Sequence, residues 1–263
     1  MAVAVVEEGV VIADRYVLLE RLGKGGFATV WRAYDKKAKA SDPQEVAVKI
    51  MSFSGGHGLQ LALFERECDA LGRLNHPAIA RSFRAERDPN HVFVILELVR
   101  GETLHRHLAR RFLANDPLSL DEAATYAEVI LDALSHAHAA GLIHRDLKPA
   151  NVMVPAKGAS VKLLDFGVAK LLASDADSAT TQGRMFGTLS YMSPEQVRME
   201  VVDGRSDLFA FGAVLFEMLT LRKLWLWDTN GDPLDLKKQA LAATRDRRLE
   251  AITRGNLGVL EQD

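Results

Sequence analysis

The apolar positions of this chain change rhythm once, near residue 100. Before that point they come in short extended runs: Tyr16-Val17-Leu18-Leu19, Thr29 to Tyr34, Val46-Ala47-Val48-Lys49-Ile50, and the continuous stretch His91 to Leu98. Turn-forming clusters separate them: Gly23 to Gly26, the lysine-rich Lys36 to Pro43, and Gly55 to Gly58. One stretch is helical instead, Leu59 to Leu74, with Leu63, Glu67, Ala70, Leu71 and Leu74 along one side. Residues 1–15 read as a leader with room for a loose extra strand.

Past Gly101 the period becomes helical. Ser119-Leu120-Asp121-Glu122 has the form of a capping box, and Tyr126, Ile130, Ala133, Leu134 and Ala137 then recur at helical spacing up to Gly141. Val161 to Leu164 predicts a short strand running into Asp165. Ser174 to Gly187 is a polar, hydroxyl-rich loop, and Asp207 to Leu221 is almost wholly apolar, as a buried helix is. A strand-rich first third and a helical remainder predict an α+β chain of two lobes, 16–98 and 99–263.

Composition narrows the class. The chain is 48% hydrophobic and 26% charged, ordinary for a globular protein. A formal net charge of −2 carries no basic signature for nucleic acid or anionic membrane. A single cysteine, Cys68, excludes an internal disulfide and fits a reducing compartment. The N-terminal Val/Ala run is interrupted by Glu7 and Glu8 and lacks a basic start, so it does not read as a signal peptide, and no stretch approaches the roughly 20 apolar residues of a membrane span. The expectation is a cytoplasmic chain.

The chemistry gathers in a few strings. Between a helical pattern and the apolar Val152, Met153 and Val154 lie Asp146, Lys148 and Asn151. On a short loop held by buried elements, such an acid accepts a hydroxyl proton, the cation steadies a phosphate and the amide ligates a hard cation. Lys49 stands in an otherwise apolar strand, where a lysine needs a partner. Glu65 and Glu67 are the candidates, with Glu67 on the apolar side of its helix; a structural salt bridge is the plainer reading of the pair. The glycines from Gly23 to Gly26 either form an ordinary hairpin turn or present N–H donors to a phosphate. A strand, not a helix, follows them, which argues against a dinucleotide fingerprint. Asp165-Phe166-Gly167 sits just past a predicted strand, although Asp-x-Gly turns are common.

Taken together, these strings resemble the catalytic domain of protein kinases, in particular the bacterial eukaryotic-like (Hanks-type) serine/threonine branch. His144-Arg145-Asp146-Leu147-Lys148-Pro149-Ala150-Asn151 is similar to the catalytic loop, Gly23 to Val30 to the glycine-rich loop with Ala28 at its third glycine, Asp165-Phe166-Gly167 to the metal-binding motif, and Thr188 to Glu195 to the end of an activation segment, with Ser193 where the family usually has Ala. The resemblance implies a bilobal fold with an antiparallel β N-lobe and a mainly helical C-lobe. It also implies transfer of the γ-phosphoryl group of ATP, with Mg2+, to Ser or Thr hydroxyls of proteins. Asp146 orients and deprotonates the hydroxyl, Lys148 balances the γ-phosphate, Lys49 holds the α/β-phosphates with Glu67, and Asn151 and Asp165 bind metal. Leu22, Gly23, Lys24, Gly25, Gly26, Val30, Ala47, Glu97, Val99 and Met153 would contact the nucleotide, with Leu96 as gatekeeper. Thr188 is a substrate-side contact, and Arg145 would hold a phosphorylated loop at Thr180 or Thr181, Ser174 and Ser178 being further acceptors. Asp207 resembles the structural aspartate that hydrogen-bonds the catalytic loop; its plainer reading is a helix cap. Dimerisation would allow trans-autophosphorylation, and no nucleic-acid partner or membrane segment is expected. A nucleotide-binding pseudokinase or scaffold is the alternative, favoured by Ala28 and by a C-lobe that looks truncated or divergent after about residue 222. His105/His107 and His136/His138 diverge in their helices and make poor paired metal ligands. Trp225 and Trp227 flank a predicted loop and fit either packing or an exposed partner site.

Overall fold

In a computed structural model of the chain, the described residues are 6–25, 28–51, 64, 66, 68–88, 91–156, 160–166 and 190–224. The chain divides into two compact units, Met1–Arg100 with Lys162–Arg184, and Gly101–Val161 with Met185–Asp263.

The first unit is built on six strands, β1 (Val11–Ile12), β2 (Tyr16–Lys24), β3 (Ala28–Asp35), β4 (Glu45–Met51), β5 (Ser82–Arg87) and β6 (Val92–Glu97), in the sheet order β1-β2-β3-β4-β6-β5. All these pairings are antiparallel. The core is Tyr16, Leu18, Trp31, Ala33, Val46, Val48, Ile50, Phe93 and Ile95, closed by Ile12. The expected extra strand is therefore two residues long, and its Ile12 is buried. β4 lies between β3 and β6 and is buried from Val46 to Met51. That position explains an apolar run without alternation. β5, an edge strand with the sequence Ser-Phe-Arg-Ala-Glu-Arg, is not announced by the hydrophobic pattern. Helical residues occur at 64, 66 and 68–72, with Phe64, Cys68 and Leu71 buried.

A polar network closes this unit's edge. Arg15 grips Asp35 through Nε and Nη2, both at 2.7 Å. The Tyr16 hydroxyl donates to Glu86 Oε1 at 2.8 Å and accepts from Arg84 Nη2 at 2.7 Å. Burial pushes the Tyr16 phenol up to about 12, against the opposing pull of Arg84.

The second unit is mainly helical: α1 (Leu104–Ala114), α2 (Leu120–Ala139), α3 (Pro194–Val197) and α4 (Gly204–Thr220), with a 3-10 turn at Pro149–Asn151. The capping box at Ser119 forms in both directions, Ser119 Oγ receiving Glu122 N–H and Glu122 receiving Ser119 N–H. Ile130, Ala133, Leu134 and Ala137 of α2 are buried, as their spacing predicts. β7 (Gly101–Thr103) pairs with β8 (Val152–Pro155), and a Cβ at Gly101 would collide with the Val154 carbonyl. Only glycine fits that approach. Helix α4 begins at Gly204 with Asp203 as its cap, so Asp207 is not the capping residue. It lies inside the first turn, buried.

Candidate active site

In the first unit, β3 and β4 pair so that Val30 faces Lys49, and β6 sets Leu96 opposite Ala47. The β2–β3 hairpin carries the glycine-rich stretch: Gly23 opposes Val30, Lys24 opposes Thr29, and Gly25 N–H donates to the Ala28 carbonyl at 2.8 Å. Leu22 is exposed beside it. Lys49 is 7% exposed, and its ammonium pairs with Asp165 Oδ1. Phe64, Leu71, Ile79, Val94, Leu96 and Phe166 wall the cavity next to that pair. A low-polarity wall strengthens an ion pair while making an unpaired lysine costly. Asp165 has φ 56°, a left-handed conformation for a non-glycine residue. Glu97 accepts from Lys162 Nζ at 2.6 Å and from Arg81 N–H at 3.1 Å, which ties the end of β6 to β9 (Lys162–Leu163) and to the chain entering β5. Val99 follows β6 in the segment that leaves the sheet.

In the second unit the catalytic-loop string bends between α2 and β8, the strand that carries Met153. Asp146 Oδ2 receives Lys148 Nζ at 2.8 Å and Asn151 Nδ2 at 3.0 Å. Asn151 Nδ2 also donates to the Asp146 carbonyl at 2.8 Å. Both of these Asn151 bonds use the nitrogen end; Oδ1 is the end a hard cation takes. The loop's backbone is fixed from below by Asp207, 1% exposed, which accepts His144 N–H and Arg145 N–H, each at 2.8 Å. His138 Nε2 lies 2.7 Å from the same carboxylate. Gly204 makes room for that imidazole: a Cβ there would lie 2.8 Å from His138 Nδ1. Arg145 takes φ 61°, and its carbonyl receives Gln196 Nε2 at 2.8 Å.

Two of these contributors are invisible in the sequence. His138 reads there as one of two diverging histidines, and Gln196 as the end of the kinase-like string Tyr191 to Gln196 with no role of its own. His138 carries no local signal, and the capping-box spacing of Ser193 and Gln196 says nothing of the loop; both act on residues more than fifty positions away. His107, another of the discounted histidines, is a partner of Glu102, as is Arg110. Glu195, at the end of the activation-segment string, accepts a hydrogen bond from Ser206 of α4. Gly26, Glu65, Glu67, Gly167, Ser174, Ser178, Thr180, Thr181, Thr188, Trp225 and Trp227 lie outside the described residues.

A family profile described as the protein kinase domain matches residues 16–252. The chain belongs to the protein kinase family. The match runs past Leu221, where the recognisable motifs end. Its similar relatives include bacterial kinases: the chain is 37% identical over 216 residues to a probable serine/threonine-protein kinase PknB of Lactococcus lactis, covering 82% of this chain and 33% of that protein. It is 36% identical over 214 residues to the serine/threonine-protein kinase PknL of Mycobacterium tuberculosis, covering 81% and 51% respectively. It thus spans about a third to a half of the length of these relatives. Among solved structures, a point mutant of the kinase domain of Mycobacterium tuberculosis PknI aligns with a TM-score of 0.65 at 26% identity, over 82% of this chain and 77% of that one. The α+β, protein-kinase-like fold follows from this likeness. No helix among the described residues is long and apolar enough to cross a membrane.

Proposed function

We propose that this chain is a serine/threonine protein kinase domain that moves the γ-phosphoryl group of ATP to Ser or Thr hydroxyls of proteins. The observation that carries the reading is the Asp146–Lys148–Asn151 constellation on a backbone anchored by the buried Asp207. Asp146 accepts the hydroxyl proton as the oxygen attacks phosphorus and the β-phosphate leaves. Lys148, already against Asp146, balances charge on the γ-phosphate. Lys49 holds the α/β-phosphates, with Glu67 as its further acid. Asn151, through Oδ1, and Asp165 are the metal ligands; Mg2+, when bound, neutralises phosphate charge. The nucleotide is cradled by Leu22, Gly23, Lys24, Gly25 and Gly26, with Val30, Ala47, Glu97, Val99 and Met153 at the base. Thr188 contacts the acceptor side, and Thr180 and Thr181 are the autophosphorylation sites, modified in trans in a dimer. Residues 16–98 and 99–263 are the two lobes, and the domain works in the cytoplasm. Catalysis in such a site is positioning and electrostatics, worth turnover of about 1–100 per second.

The test is intact mass after incubation with Mg·ATP, beside an Asp146→Asn control. A gain in the unaltered chain alone, mapping to Thr180 or Thr181, is expected. Saturable Mg·ATP binding without any gain would replace this reading with a nucleotide-binding scaffold.

A further inference from the structure

Arg145 is the residue before the candidate base, and its backbone is left-handed, with φ 61°. An L-residue holds that conformation only where its surroundings over-determine it. Here both sides of the residue are held. Its N–H goes to Asp207 Oδ1, and its carbonyl receives Gln196 Nε2, each at 2.8 Å. The Gln196 amide is itself oriented. Ser193, 0% exposed, caps α3, and the box closes with Ser193 N–H on Gln196 Oε1 at 3.1 Å and Gln196 N–H on Ser193 Oγ at 3.4 Å. With Oε1 occupied at the cap, Nε2 is aimed at the loop. The preceding Glu195 is bonded to Ser206, so α3 is also fastened to α4, the helix that carries Asp207.

We propose that Gln196 is a positioning residue: its side-chain amide clamps the Arg145 carbonyl and, opposite Asp207, fixes the backbone that presents Asp146. The proposal rests on the phosphotransfer reading of Asp146. It assigns Gln196 a role distinct from capping, because a capping box accepts Glu as readily as Gln at this position, whereas only Gln offers a donor to the loop. Ser193, in place of the family's usual Ala, is what supplies the cap that orients it.

Gln196→Glu and Gln196→Met separate the two roles by sign. Glu keeps the cap and sets an acceptor against the Arg145 carbonyl; Met removes both bonds without adding repulsion. For the clamp, kcat on a generic Ser/Thr protein substrate such as casein falls on the order of tenfold in Gln196→Glu, with the KM for ATP within about twofold. Gln196→Met then loses less activity but melts lower. A residue that only capped α3 would give the reverse order, with Gln196→Glu as active as the unaltered chain, and that order would overturn the proposal. Hydrogen exchange of the backbone amides at 144–147 supplies a reading independent of turnover. Faster exchange in Gln196→Glu supports the clamp, and unchanged exchange overturns it. A chain with no transferase activity at all would sink the phosphotransfer reading, while the exchange result would still decide the clamp.

Discussion

A carboxylate persists in a protein interior only when donors surround it, and Asp207 has three: two backbone amides and an imidazole. The charge is therefore spent on geometry. Replacing Asp207 with Asn turns an amide N–H2 toward at least one of those donors. We expect about 2–3 kcal/mol lower stability and a loss of kcat on the order of tenfold, from denaturant unfolding and initial rates measured side by side. Full activity in Asp207→Asn would show that the loop holds its shape without this anchor. At this scale the sequence is readable where chemistry is concentrated in a string, as at Asp146, Lys148 and Asn151. It is silent where one side chain acts on a distant backbone. The contacts of Gln196 and His138 with distant residues are not legible until the chain is folded.

Elements are legible in proportion to how local their causes are. Helix α2 is announced by its own capping box and spacing. The apolar pattern places α4 three residues late because Gly204, Arg205 and Ser206 do not share it, and the true start is set by the Asp203 cap. β5 escapes the pattern because its charged side chains serve the edge of the sheet, where Arg84 and Glu86 meet the Tyr16 hydroxyl. That phenol carries a pH consequence. Its folded value is raised above the unfolded value near 10, so its stabilisation is complete below pH 10 and is lost as pH rises towards 12. Urea midpoints should fall across pH 10–12, and Tyr16→Phe should flatten that fall while lowering the midpoint at neutral pH. An equally steep fall in Tyr16→Phe would assign the effect to other groups.

For the molecule as a whole, the family is legible because its motifs stand in order along the chain, although the profile reaches residue 252 and the recognisable motifs end near Leu221. The proposed nucleotide site makes a thermodynamic demand on the entire domain. A ligand bound by the folded state alone, at about a hundredfold over its Kd, adds about 2.7 kcal/mol. For a chain of this size that is a rise in melting temperature of about 5–10 °C with Mg·ATP, read by scanning calorimetry. Lys49→Met should abolish most of the rise; a full rise in that variant would remove Lys49 from nucleotide binding. The bare backbone at Gly204 has a further consequence, for descent instead of chemistry. The His138 ring occupies the space that a side chain at 204 would need, and that ring is also a partner of Asp207. A side chain at 204 therefore constrains position 138: the ring has to shift or be replaced before such a side chain fits, and either change disturbs a partner of Asp207.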